Sequence, residues 1–229
     1  MDLVRRITLL WEQKSGQTET SEDLGQTITW FSYLNDLLKG ADPAIARKLQ
    51  DMQGKQTDLS IKALEDWFTQ GGDQHPDAEQ YREQLAEMKR QKAETQLGEA
   101  RKRVDKNPTD LQLRYELGEK LVQAGQIKDA IPELQKARQN PNARLRAMNL
   151  LGQCFSEMNM PDMAVSQFKT AASEMVAMDA TKKEVLYKLA LVYQQMGKKD
   201  DYITCLKEIY EVDYNYRDVA QRVETSYAG

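Results

Sequence analysis

The chain has 229 residues and a mass of 26.3 kDa, long enough to bury a substantial core in one or two domains. Charged residues make up 30% of it against only four Phe and six Pro, a balance that fits a helix-rich protein in water. The formal charge of −4 and the pI near 5.3 lack the basic surplus on which most nucleic-acid binders depend, and no run of about 18 apolar residues is present to insert into a membrane.

Residues 1–42 read as a helix pair. The stretch DLVRRITLLWEQK carries Leu3, Ile7, Leu10 and Trp11 as its apolar face, a polar turn is predicted at WEQKSG, and SEDLGQTITWFSYLNDLLKG follows with Ser21 as N-cap ahead of Glu22 and Asp23. Arg5 and Arg6 interrupt what would have to be the uncharged core of a secretory leader, so a cytoplasmic location is expected if the native N-terminus is complete. Met1 runs straight into mid-helix texture, which leaves open that the chain is a piece of a longer repeat protein.

Residues 43–106 contain two apolar periodicities of three and four. Ile45, Leu49, Met52 and Leu59 mark the first; Tyr81, Leu85, Met88, Leu97, Ala100 and Val104 mark the second. Gly71, Gly72 and Pro76 lie between them, and Pro76 suits the first turn of the second helix. This pattern predicts a long antiparallel helical hairpin, with arms of about 45 Å at 1.5 Å per residue and a break or bend at Gly54. The RKRVDK stretch within residues 89–106 is interleaved with Glu94, Glu99 and Asp105 and reads as a solvated helix face.

Residues 107–229 hold an internal repeat. Residues 117–137 and 151–171 match at an offset of 34, pairing Leu117 with Leu151, Gly118 with Gly152, Leu121 with Phe155, Ala130 with Ala164, Leu134 with Phe168 and Ala137 with Ala171. A third copy follows at 38, with Leu189, Ala190, Tyr193, Gly197, Leu206 and Ile209 in register, so four residues are inserted near the helix containing Thr181 or in its preceding turn. Small residues let helix backbones approach, and the large ones fill the space between hairpins. Asn107-Pro108 and Asn140-Pro141 mark boundaries between hairpins; Pro132 is tolerable only in the first turn of a helix starting near Lys128.

The segments LRYELGEKLVQAGQIKDAIPELQKA, MNLLGQCFSEMNMPDMAVSQFKTA and LYKLALVYQQMGKKDDYITCLKEI resemble the tetratricopeptide repeat family. Arg114 stands where that family has a large apolar residue, Asn159 replaces the turn glycine seen at Gly125 and Gly197, and Tyr202 replaces a small alanine, which should widen the third hairpin. The ending KEIYEVDYNYRDVAQRVE resembles the close of a group of bacterial multi-repeat proteins of the family, which makes Tyr216 to Tyr227 a capping helix. The pair in residues 1–42 resembles a degenerate unit of the same kind. The resemblance implies an all-α superhelix of antiparallel hairpins, with a long hairpin inserted.

It also implies a site. In the family the first helix of each hairpin lines a concave groove for peptide or protein partners. The matched positions are Gln112, Tyr115, Glu119, Val122 and Gln123 in the first repeat, Arg146, Asn149, Gln153, Ser156 and Glu157 in the second, and Glu184, Tyr187, Leu191, Gln194 and Gln195 in the third. Amides bond a peptide backbone in either sense, and tyrosine offers a broad ring with a polar tip. A carboxylate clamp of the kind that holds chaperone tails is not expected: Tyr115, Glu119, Leu150, Glu184 and Lys188 occupy its places, with one basic residue among them.

Nothing in the sequence reads as catalytic. The single His75 lies in a turn, Cys154 and Cys205 sit in repeat helices as small buried hydrophobes, and there is no phosphate loop, nucleophile elbow or metal-ligand spacing. The methionines gathered in the second and third repeats read as gap-filling. The expected protein is a non-enzymatic interaction scaffold without cofactor or metal, binding an unidentified protein or peptide. The alternative is self-assembly through the hairpin or the N-terminal face.

Overall fold

Backbone hydrogen bonding is met by helices throughout the computed structural model, which describes residues 2–18 and 21–228; no strand occurs among them. The chain forms two compact units, Met1–Lys92 and Ala93–Gly229, and the division falls inside a helix.

In the first unit, α2 (Ser21–Leu37) and α3 (Pro43–Thr69) pack around Leu24, Phe31 and Met52, and α1 (Asp2–Thr18) lies against α2. The α1–α2 seam is partly polar. Thr8 and Thr27 are buried; the Thr8 hydroxyl donates to the Val4 carbonyl at 2.8 Å, and the Thr27 hydroxyl sits 2.8 Å from the Asp23 carbonyl and 3.0 Å from the Trp11 carbonyl across the seam. The turn predicted at WEQKSG does not form there. Helix α1 continues through Ser15 and Gly16 to Thr18, because a Cβ-less residue inside a helix weakens it without ending it. Leu10, expected on the apolar face, is 65% exposed, and Thr8 takes the inward place. The side chains of Leu3 and Ser21, and the position before Ser21, lie outside the described residues.

Asp42 caps α3 by accepting from the Ala44 amide at 3.0 Å, with Pro43 in the first turn. Gly54 does not break α3. The connection that follows is a short 3-10 turn (Gly72–Gln74), where Gly72 lies against the Trp67 ring so closely that a Cβ would overlap it. Helix α4 (Ala78–Lys106) begins two residues after Pro76, so that proline precedes the helix and does not occupy its first turn. Ion pairs Glu65–Lys89 at 2.7 Å and Asp58–Lys92 at 2.6 Å fix α3 and α4 antiparallel. Trp67 meets His75 and Tyr81 edge-on at the closed end. Leu59 points outward; Ile61 is the buried residue of that stretch.

The second unit takes the remainder of α4 together with α5 (Leu111–Gln123), α6 (Ile127–Ala137), α7 (Arg144–Glu157), α8 (Pro161–Glu174), α9 (Ala180–Gln195), α10 (Lys199–Tyr210) and α11 (Val219–Ala228). One core runs through it. Leu97, Ala100 and Val104 of α4 share it with the large and alanine positions matched between the repeats, from Leu117 and Leu121 to Leu206 and Ile209. Gly118 lies on Leu134 and Gly152 on Phe168, so the small-against-large pairing read from the repeat is a packing contact.

The hairpin turns are copies of one another. Gln126, Met160 and Lys198 each donate their amide to a carbonyl five residues back, on Leu121, Phe155 and Tyr193, closing α5, α7 and α9 in the same way. The residue before each donor is left-handed: Gly125 at φ 70°, Asn159 at φ 56°, Gly197 at φ 72°. A side chain pays for that conformation and glycine does not. Asn159→Gly is therefore expected to stabilise the unit by about 0.5–1 kcal/mol, read as a shifted urea midpoint at unchanged slope; an unchanged or lowered midpoint would refute the assignment.

The four inserted residues are divided between two helices. Compared with the first pair of repeats, α8 runs three residues past Ala171 and α9 starts two earlier in register, while the connection shortens by one. Pro132 is not in the first turn of α6. It sits one turn further in, exposed, and the helix continues unbroken to Ala137, so the missing amide faces water. The capping helix starts at Val219, later than Tyr216, and Tyr216 packs edge-on against Tyr187 from the preceding turn.

Candidate interaction groove

Helices α5, α7 and α9 are the first members of successive hairpins, so their outward faces line up. Side chains from neighbouring repeats meet on that face. Arg146 of α7 places its guanidinium 4.8 Å from the centre of the Tyr115 ring on α5, and Lys188 of α9 reaches Asn149 Oδ1 at 3.4 Å and Gln153 Oε1 at 3.5 Å on α7. Asn140 donates to Gln112 at 3.4 Å, tying the next connection to α5.

Tyr115 and Tyr187 are the deepest of the matched residues, with 5% and 7% exposure, and present little more than an edge. The Tyr115 hydroxyl donates to Glu119 at 3.0 Å; burial, then the Glu119 charge, pushes its pKa up to about 12. The Tyr187 hydroxyl donates to Asp218 at 2.7 Å, and burial followed by that bond raises its pKa while lowering that of Asp218. Both phenols stay protonated donors at neutral pH. Gln153 donates to Glu157 at 3.1 Å, Gln123 accepts from Lys120 at 3.2 Å, and Gln194 accepts from Arg222 at 3.2 Å. Val122 and Leu191 pack partly into the core, Ser156 is half-buried and Gln195 is exposed.

Lys188, the one basic residue at a clamp position, pairs with Glu184 at 2.7 Å. Arg217, Asp218 and Arg222, which the sequence reading did not single out, continue the face at the capping end: Arg217 stacks on Tyr187 at 4.7 Å and Arg222 pairs with Asp218 at 2.7 Å. The signal was available, since one more step of 34 from Glu184 reaches Asp218.

Other features carry less. Burial holds the Cys154 and Cys205 thiols at about 11 and about 12, so both are inert at neutral pH. The two arginines of the RKRVDK region are paired, Arg103 with Glu116 at 2.8 Å and Arg101 with Asp129 at 3.7 Å. Met148, Met175, Met178 and Met196 fill the core or its edge, whereas Met160 and Met163 are exposed. No described helix is long and apolar enough to cross a membrane, and no group of three or more metal-ligating side chains occurs among the described residues.

Family models of the tetratricopeptide repeat match residues 90–171 and 183–216, together just over half of the chain. The chain belongs to the tetratricopeptide repeat family. The first match begins within α4, in agreement with the burial of its last turns in the repeat core. Two crystal structures of MamA are similar in fold. One has 21% identity and a TM-score of 0.51 over 58% of this chain and 75% of that one; the other has 17% and 0.52 over 75% and 81%. Among curated proteins none matches the sequence. The fold is an all-α helical-repeat solenoid, the architecture of a protein-interaction scaffold.

Proposed function

We propose that the face of α5, α7 and α9 binds an extended or helical segment of a partner protein, without catalysis. The observation that carries this reading is the set of contacts between repeats: Arg146 lies over Tyr115, and Lys188 reaches toward Asn149 and Gln153, so side chains of successive repeats already meet on this face. A surface already ordered loses little side-chain entropy on binding.

The test uses residues whose loss spares the core. Tyr115 and Tyr187 are too deeply buried for this, whereas Asn149 and Gln153 are half-buried on the face. The immobilised chain is expected to capture a partner from a lysate of its source organism that an Asn149→Ala, Gln153→Ala variant of unchanged circular dichroism fails to retain. The same captured set on both proteins would sink the groove reading. A second reading, self-association, is favoured by one observation: Leu9 and Leu10 of α1 and Tyr33 and Leu37 of α2 are exposed. Sedimentation velocity that shows a mass rising with concentration, abolished by Leu10→Glu, would support it; a constant monomer mass would end it.

A further inference from the structure

We propose that Arg146 and Arg217 are the anchor points of this groove and that the segment it holds is acidic, a stretch of partner chain bearing Asp or Glu. The inference rests on the groove reading and names the chemistry of its ligand.

The two arginines are built alike. Each lays its guanidinium over one of the two tyrosines that occupy the same place in the first and third repeats, at 4.8 Å from Tyr115 and 4.7 Å from Tyr187; Arg217 also lies 5.3 Å from the Tyr216 ring. A guanidinium held over a ring by cation-π attraction keeps N–H donors that the ring does not use, and these can meet a carboxylate in a bidentate pair. Both side chains belong to exposed residues, and the rings beneath are fixed by Glu119 and Asp218.

Charge balance separates these two from their neighbours. Lys183 pairs with Asp213 at 2.6 Å, Lys188 with Glu184 at 2.7 Å and Arg222 with Asp218 at 2.7 Å, so these three cations are already neutralised. Among the described residues Arg146 and Arg217 form no ion pair. The hydrogen bond of Arg146 is to the Asn142 carbonyl at 3.4 Å, a weak acceptor contact that leaves the charge uncompensated. Arg217 is also left-handed, at φ 49°, a conformation that an arginine adopts at a cost. Glu119 and Glu157, held by Tyr115 and Gln153, punctuate the face with negative charge. Attraction is therefore local to the two arginines and does not extend to a uniformly basic surface.

The probe is a short fluorescein-labelled peptide of alternating Glu and Ala, with alternating Gln and Ala, and Lys and Ala, as controls, read by fluorescence anisotropy on the full chain. The Glu peptide is expected to bind more tightly than the Gln peptide and to weaken with salt; the Lys peptide is expected not to bind. Arg146→Gln and Arg217→Asn are each expected to weaken the Glu peptide about tenfold. Asparagine tolerates the left-handed backbone, so Arg217→Asn keeps the turn, and an unchanged thermal midpoint checks it. Equal binding of the Glu and Gln peptides, or a Glu affinity untouched by both substitutions, would overturn the inference. If the Asn149→Ala, Gln153→Ala variant loses its captured partner while the Glu peptide fails to bind wild type, the groove reading stands and the acidic ligand falls.

Discussion

Phe168→Ala is expected to lower the stability of the repeat unit by about 4 kcal/mol, Gly152→Ala by about 2 kcal/mol, and the pair together by clearly less than the sum. Phe168 is 1% exposed and lies on Gly152 of the facing helix; a Cβ built on that glycine would stand 2.6 Å from the ring. Truncating the ring leaves a cavity, and adding the methyl alone drives it into the ring. In the double variant the methyl enters space the ring has vacated, so each change relieves part of the other. Urea denaturation of the four proteins closes the cycle. Strict additivity would mean that the two residues do not share one packed volume, and the packing account of the repeat would be wrong. The first repeat offers a milder control: Gly118 faces Leu134 in the same way, with a Cβ position 2.7 Å from a side chain that has more freedom to turn. Gly118→Ala should cost less than Gly152→Ala.

The second large effect concerns Arg114, the family's apolar position occupied by a cation. Its side chain is 13% exposed and pairs with Glu133, 17% exposed, at 2.6 Å, while its Nε donates to the Pro108 carbonyl at 2.9 Å and Nη2 donates to the same oxygen. Arg114→Leu is expected to cost about 2–3 kcal/mol, because Glu133 then keeps only Lys136 at 3.9 Å and the Pro108 carbonyl loses its donors. This is the low end for buried pairs, because both side chains stay partly exposed. Replacing both Arg114 and Glu133 by leucine should return stability to within about 1 kcal/mol of wild type, as nothing charged is then left without a partner. A double variant as unstable as the single one would show that the Pro108 contact, and not the ion pair, holds α5 to its preceding turn. Denaturation midpoints at matched ionic strength decide between the two.

Both effects bear on the proposed groove, part of whose side chains are carried on α5 and α7. Gly152 and Phe168 set how closely α7 sits on α8, and Arg114 with Glu133 ties α5 to α6. A loosened hairpin would blur the spacing between Tyr115, Arg146 and Asn149 even with each of them intact.

The repeat was legible because packing and periodicity impose the same residues in each copy: small against large at Gly118 and Gly152, and a left-handed turn at Gly125, Asn159 and Gly197. Those are short-range demands of backbone geometry, and they appear as an offset that the chain repeats. What misled at the N-terminus was equally local. A Ser-Gly pair favours a turn, but α1 runs through it, since contacts with α2 outweigh a cost of about 1 kcal/mol. The same small cost explains why Gly54 leaves α3 intact.

Periodicity marked Leu97, Ala100 and Val104 as one stripe without saying what the stripe faces. The answer, a core shared with Leu117 and Leu121, depends on residues that approach only when the chain folds. Groove positions show the same division. The family resemblance assigned Tyr115, Arg146, Asn149 and Tyr187 to the groove side of first helices, and repeat register carried that assignment from copy to copy. How far each ring is buried, which cations find carboxylates, and which two arginines are left stacked and unpaired are set by distances between different repeats. Those distances come from the inclination of one hairpin on the next, a property that no single stretch of sequence contains.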